Sequence, residues 1–438
     1  LWQGVLLVVL TGFGISLHVP GNQGIGSPER NMVFVGAGLA ACVVYACGVR
    51  LALQHAISIW VVLGFAVLLR LLVLAAPPFL STDLYRYVWD GRVQLAGVNP
   101  YLYVPAAHEL EMLREPAIFP NINRPDYAVT IYPPVAQMIF RLVAAVAQSP
   151  YAIKAAMTAF DLITICVIMR LLAAAGRPPA QSLIYAWHPL PIWEFAGNGH
   201  VDAAGTCFIA LGFMAVIFRY RVLASVALAA AVLVKFLPAV LMPVIWHRRE
   251  GRWIDYRGPL AFAFVVAAAY ACYAGAGLRV LGFLSGYAAE EGVAHTTRLF
   301  PLALLGEVAT LPRWAGAAYY GMAATALLAL GAAIAFRRWP PLPVGYELDR
   351  LARLALVSAA ALTVALFPHY PWYFAWLLLP CSLYPSLSIL YLTSAVFVVY
   401  LESYDRTLLF PCLIYGPFLA LVCFDIVSRS RQHRLMRS

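Results

Sequence analysis

Ala56-Ile-Ser-Ile-Trp-Val-Val-Leu-Gly-Phe-Ala-Val-Leu-Leu-Arg-Leu-Leu-Val-Leu-Ala-Ala76 runs through Pro77-Pro-Phe-Leu80 into Ser81-Thr-Asp-Leu-Tyr-Arg-Tyr-Val-Trp-Asp-Gly-Arg-Val-Gln-Leu-Ala-Gly-Val-Asn-Pro-Tyr101. The first part has the length and apolar character needed to cross ~30 Å of hydrocarbon. The second is polar and aromatic and begins where that span ends. Similar apolar runs recur at 1–19, 31–50, 152–173, 180–196, 201–218, 259–276, 314–336, 351–367, 372–384, 387–402 and 409–428. Across 438 residues, 63% are hydrophobic and 11% charged, against roughly 25% charged in soluble domains. Mean hydropathy is +0.80. Backbone polar groups in lipid must be satisfied within the chain, so the expected fold is all-α, a polytopic transmembrane bundle of about 12–14 membrane helices. It is expected to be one domain over 1–438, with an amino-terminal hairpin at 1–50, a first large outer loop at 77–151 and a second at 277–313.

The net charge of +10 does not point to nucleic acid, because the arginines fall in loop-sized clusters between spans. These are Arg50, Arg170/Arg177, Arg219/Arg221, Arg248/Arg249/Arg252/Arg257, Arg337/Arg338/Arg350/Arg353 and Arg429/Arg431/Arg434/Arg437. Placing all of them on the cytoplasmic side leaves Arg30 and Arg406 in the short outer loops and sets the orientation. The amino terminus is then inside, as a retained first span, and 77–151 outside. Residues 135–148, with Arg141 near their middle, read as a helix along the outer interface. The stretch 223–246 carries Lys235 in Val232-Leu-Val-Lys-Phe-Leu-Pro238. It is either two half-height helices meeting near Lys235 or one span with a snorkelling lysine. The eight cysteines lie in or beside apolar segments without CxxC spacing, as packed thiols rather than a metal site or disulfide framework.

Asp83 either caps the following helix, as Ser81 and Thr82 also could, or acts as a general base at the mouth of a span. Asp90 lies seven residues on, on the same helical face, and suits a pair with Arg86 or Arg92. Gly197-Asn-Gly-His-Val-Asp202 forms an outer turn whose glycines allow close backbone approach; such a turn holds a ligand or merely joins two helices. Lys235 is an intramembrane cation, which marks a substrate path or pairs internally, with Asp161 as the candidate partner. Glu290, Glu291, His295 and Arg298 form either a phosphate-recognising cluster or a solvated loop. Phe367-Pro-His-Tyr-Pro-Trp-Tyr-Phe-Ala-Trp376 reads as an interfacial girdle, which leaves His369 unexplained.

Three stretches together resemble the GT-C superfamily of membrane glycosyltransferases, and more narrowly its polyprenyl-phosphate-mannose-dependent mannosyltransferases. The first is Thr82–Gly91 with Gly97-Val-Asn-Pro-Tyr101 and Tyr132-Pro-Pro134. The second is Trp187-His-Pro-Leu-Pro-Ile-Trp-Glu-Phe-Ala-Gly-Asn-Gly-His-Val-Asp202. The third is Leu233-Val-Lys-Phe-Leu-Pro238 with Pro368-His-Tyr-Pro-Trp-Tyr373. The resemblance implies that Asp83 is the base of an inverting single displacement. The donor is then a sugar, mannose, on a polyprenyl monophosphate, and the acceptor a hydroxyl of a lipid or glycan. Lys235, His200, Arg298 and His369 are the groups available to the donor phosphate. Arg86, Tyr87, Asp90, Tyr132, Asn198, Asp202 and Tyr370 are expected at the sugar or acceptor. Many relatives carry Asp-x-Asp where this chain has Ser81-Thr82-Asp83, so no metal and no other cofactor is expected. The 1–50 hairpin is extra to the simplest family layout. An Ala- and Arg-rich, Lys-poor chain suggests a bacterial inner membrane, with the site facing the periplasm. Two other readings are a flippase of lipid-linked sugar with a Lys235–Asp161 path, and a ligase using a lipid diphosphate. The large outer loop disfavours the first; the second calls for more outer arginines.

Overall fold

Ser-Pro pairs set the start of the two longest early helices. Ser27 caps α2 (Pro28–Gln54) by accepting from the Arg30 N–H, and Ser149 caps α6 (Pro150–Ala174) by accepting from the Ala152 N–H. In each, proline stands at the first helical position, where its missing N–H costs nothing. Before and between them run α1 (Trp2–Ser16), α3 (Ile59–Ala75), α4 (Asp83–Leu95) and α5 (Pro134–Val146). The computed structural model describes residues 1–18, 27–247, 255–290, 299–401 and 408–435, with side chains described as far as residue 428. Among these the architecture is an all-α, polytopic bundle. Four helices are long and apolar enough to cross a membrane by length and composition, or six if each of two bent pairs counts as one span. Shorter apolar helices fill the rest.

The expected span at 180–196 is not a continuous helix. Pro179, Pro189 and Pro191 remove helical donors, and the segment divides into 3-10 and α turns followed by a π turn over Ile192–Gly197. The Pro189–Gly197 unit then meets the Asp202–Ile217 helix at 118°. Around Lys235, the Arg221–Val234 helix ends in an extended residue, a 3-10 turn covers Leu237–Leu241, and a short helix covers Met242–Trp246. Trp246 Nε1 donates to Ser225 Oγ at 2.9 Å, so the chain returns beside its starting point. The two half-height segments are therefore a hairpin, not one span.

Pro77 and Pro78 end α3, and its last carbonyls are not left bare. The buried Lys154 ammonium of α6 donates to Val73 O at 2.8 Å and to Ala76 O. A cation at the negative end of a helix is favourable, and here it holds the exit of α3 just ahead of Asp83. The helix expected over 135–148 is α5, which packs on α4. At Gly91 an added Cβ would lie 2.4 Å from Phe140 O, and Tyr87 stacks on Phe140 at 4.5 Å. We expect Gly91→Ala to force the two helices apart and cost about 1–3 kcal/mol, measured as a lowered unfolding midpoint in detergent. A midpoint equal to wild type would show that the seam yields freely.

The 277–313 segment, read as an outer loop, is partly helical. The Arg257–Ala271 helix bends by 113° into Ala274–Glu290, and a further helix covers Phe300–Gly306. The Phe283 N–H donates to Thr130 O at 3.1 Å, which joins this segment to the 77–151 stretch. Glu291, His295 and Arg298 lie outside the described residues, as do Arg248, Arg249, Arg252 and Arg406. All eight cysteines are free thiols; Cys42, Cys207 and Cys381 are buried in the bundle.

Candidate functional site

Asp83 is the first residue of α4, and its side chain does not cap that helix. Thr82 occupies the cap position without a side-chain bond, while the Asp83 N–H donates to Ser81 Oγ at 3.2 Å. The Asp83 carboxylate instead turns into a cavity of ≈ 1080 Å³. There Oδ1 accepts from Asn123 Nδ2 at 2.7 Å, and Oδ2 faces His200 Nδ1 at 4.0 Å; the side chain is 22% exposed. A partly exposed carboxylate held by one amide has the remaining lone pairs that a base needs to meet an incoming hydroxyl.

Lys235 enters the same cavity from the break between the two half-height helices. Its Nζ donates to Asp202 Oδ1 at 2.8 Å and sits 3.7 Å above the centre of the Tyr373 ring. It does not pair with Asp161, the partner expected from the sequence. Asp161 is fully buried and taken by Arg70 and Tyr185. Lys235 and Asp83 are near enough for their charges to act on one another. On the facing wall, Arg124 holds a left-handed backbone (φ 53°), a conformation uncommon for a residue with a side chain. Its Nε donates to Glu290 Oε2 at 2.6 Å, and its guanidinium lies over Tyr287. The Tyr287 and Tyr373 hydroxyls meet at 2.9 Å. The cavity thus presents a carboxylate on α4 and cationic groups on two walls.

Arg86, Tyr87, Tyr132, His369 and Tyr370 also line the cavity. Burial, with the Asp83 charge second, pushes the Tyr87 and Tyr132 hydroxyls well above their ordinary range, so both keep their protons. Four expected site residues stand elsewhere. Asp90 is buried in the α4–α5 seam, accepting from Arg86 Nε at 2.9 Å and Gln137 Nε2 at 2.9 Å. These bonds hold it in the seam, outside the cavity lining, where it supports α4. Asn198 is buried and accepts from the Leu80 N–H at 3.2 Å; it fixes the 77–82 loop rather than a ligand. Asp202 serves Lys235. His200 is 1% exposed and lies behind Trp372, whose ring stacks on it at 4.0 Å. Arg298 falls outside the described residues. Among those residues, no group of three or more His, Cys, Asp or Glu side chains is placed to hold a metal ion.

Asn123, Arg124, Glu194 and Lys154 escaped the sequence analysis. Glu194 and Lys154 carried a usable signal, a charge within a largely apolar segment, as Lys235 did. Asn123 and Arg124 carried none, since they sit in an irregular loop and reach Asp83 and Glu290 only through tertiary folding.

A match to a family model now bears on this cavity. Residues 4–249 match the MptA_B family, described as alpha-(1->6)-mannopyranosyltransferase, N-terminal domain. That is more than half of the chain and includes Asp83, Asn123, Glu194, His200, Asp202 and Lys235. The chain belongs to this family. No curated protein and no solved structure matches it. The protein is therefore a mannosyltransferase, a hexosyltransferase that takes a mannosyl donor and an acceptor. Residues 4–50 of the amino-terminal hairpin lie within the matched region of the mannosyltransferase. Its Phe34 packs edge-on against Trp193 at 5.1 Å and Tyr400 at 5.6 Å, which braces the wall behind the cavity.

Proposed function

We propose that this mannosyltransferase moves mannose from a polyprenyl monophosphate to an acceptor hydroxyl by one inverting displacement, with Asp83 as the base. The observation that carries this reading is the Asp83 carboxylate, fixed by Asn123 in a cavity that Lys235 and Arg124 also enter. Asp83 takes the acceptor proton as the acceptor oxygen attacks the anomeric carbon. The bond from that carbon to phosphate oxygen breaks, and its electron pair leaves on the phosphate. Phosphate is already a capable leaving group, so orientation and charge neutralisation are the main demands on the protein. In this reading Lys235 and Arg124 meet the second demand, and Tyr87, Tyr132 and Tyr370 contact sugar hydroxyls. Inversion to an α-mannoside requires the mannosyl phosphate to be β-linked.

The arginine clusters support a cavity opening outward, since they favour the cytoplasmic side for the opposite loops. The whole chain acts as one domain in this reading, with 77–151 and 277–313 forming the outer cover and α5 lying along the interface. The site would face the periplasm of a bacterial inner membrane.

The donor is tested with purified full-length protein and labelled mannose on either a polyprenyl phosphate or a nucleoside diphosphate. Transfer is expected from the lipid donor, with at least 100-fold discrimination if the nucleotide cannot supply the lipid anchor (~2.7 kcal/mol). Equal use of the nucleotide sugar would overturn the donor assignment.

A further inference from the structure

Behind Asp83, and outside the cavity lining, lies a second carboxylate paired with an imidazole. Glu194 is 0% and His200 1% exposed by side chain. His200 Nε2 stands 3.2 Å from Glu194 Oε2 and Nδ1 stands 4.0 Å from Asp83 Oδ2. Neither ring nitrogen makes an aligned hydrogen bond. Local backbone fixes the arrangement. Glu194 sits in the Ile192–Gly197 π turn, a feature frequent at functional sites. The His200 N–H donates to Glu194 O at 3.0 Å. Gly199 has φ +69°, which disfavours a side chain, and a Cβ there would press on Ile153 and Lys154 at 3.3 Å. Trp372 closes the outer face of the His200 ring.

We propose that His200, oriented by Glu194, is a positioning residue that receives from Asp83 the proton taken from the acceptor. This rests on the reading of Asp83 as the base. In the resting site the Glu194 carboxylate, 3.2 Å from Nε2, favours the neutral tautomer with its proton on that nitrogen, which leaves the Nδ1 lone pair facing Asp83. Two acceptors then oppose one another, consistent with a 4.0 Å gap and no bond. When Asp83 gains the acceptor proton it becomes a donor, and Nδ1 is the acceptor already in line. A carboxyl swing closes the gap to about 2.8 Å, and the proton passes to Nδ1. The imidazolium then lies between the Asp83 and Glu194 carboxylates. This interaction exists only once charge has moved, so it favours the reaction over the resting complex. The pattern uses a buried carboxylate to set a histidine's tautomer, the logic of hydrolytic triads.

The titratable groups facing this pair are accounted for. Tyr400 donates its hydroxyl to Glu194 Oε1, and Asn198 Nδ2 approaches Oε2 at 3.5 Å. Asp202 is paired with Lys235, and Lys154 is engaged by the α3 carbonyls. Tyr87 on α4 keeps its proton.

His200→Asn, Glu194→Gln and Tyr400→Phe test this in the full chain, with polyprenyl-phosphate mannose as the donor. We expect kcat to fall roughly 10- to 100-fold in the first two, less than the full share of a general base, and less again in Tyr400→Phe. Donor KM should hold within about twofold, because the pair touches no substrate. His200→Asn removes the second proton acceptor, so the acid limb of the pH–rate profile should move in that variant. Unchanged kcat, or a fall in kcat with the acid limb unmoved, overturns the proposal. Should His200→Asn not fold, Glu194→Gln decides it by rate: a kcat equal to wild type overturns the proposal. Asp83→Asn separates the two levels: full activity there refutes the base, whereas its loss beside unaffected His200 and Glu194 variants refutes the relay alone.

Discussion

Asp83→Asn is expected to lower kcat for mannosyl transfer by about 10²- to 10⁴-fold, the usual share of a positioned base. Donor KM should remain within a few-fold of wild type. Asparagine keeps the shape of the side chain and an oxygen able to accept from Asn123 Nδ2, now 2.7 Å from the carboxylate. The loop, α4 and the cavity wall should therefore stay in place, and only the ability to take a proton is lost. Single-turnover transfer of labelled mannose from the lipid donor is the direct measure. A rate within about fivefold of wild type would mean that the acceptor is deprotonated by another group or attacks without a base.

Asp161→Ala should be the most destabilising single change away from the cavity. Arg70 Nε donates to Asp161 Oδ2 at 2.7 Å and the Tyr185 hydroxyl to Oδ1 at 2.6 Å, with Arg70 and Asp161 fully buried. Arg70 Nη1 is satisfied by Ala66 O and Ala186 O, but Nη2 already has no partner. Removing the carboxylate leaves a buried guanidinium with no counter-charge, a cost of about 3–5 kcal/mol. Unfolding in mixed micelles should show that loss. The double variant Arg70→Met/Asp161→Leu should recover most of it, since an apolar pair removes both charges together. If the double variant is as unstable as the single one, packing rather than the orphaned charge sets the cost. The network joins α3, which leads into the 77–82 loop ahead of Asp83, to α6 and the 183–186 turn, so activity should fall with stability.

The fold was legible because lipid imposes a rule that sequence obeys openly. Long apolar runs and clustered arginines marked the spans. Lys235 announced a break because a cation with proline three residues on is poorly suited to a continuous apolar helix. Prolines at 179, 189 and 191 carried the same message about 180–196, but apolar content there obscured it. Asp83 and Lys235 could be nominated from their positions in or beside apolar spans, and Tyr87 and Tyr132 from the resemblance; all four line the cavity. Asp90 and Asn198 had equal claims by composition. Their side chains went to Arg86 and Gln137, and to Leu80 and Trp193, choices that depend on which helices pack together.

The chain by itself determined an all-helical membrane bundle, its approximate spans, and an acid and a cation at two of their ends. Hydrophobic length and backbone hydrogen bonding are properties of local segments, so they need no knowledge of neighbours. Tertiary structure alone decided that Lys235 serves Asp202 and not Asp161, that Asn123 holds Asp83 across 40 residues, and that His200 sits behind the base beside Glu194. Hydrogen bonds and ion pairs act over only a few ångströms, and which groups come that close is set by the packing of distant helices.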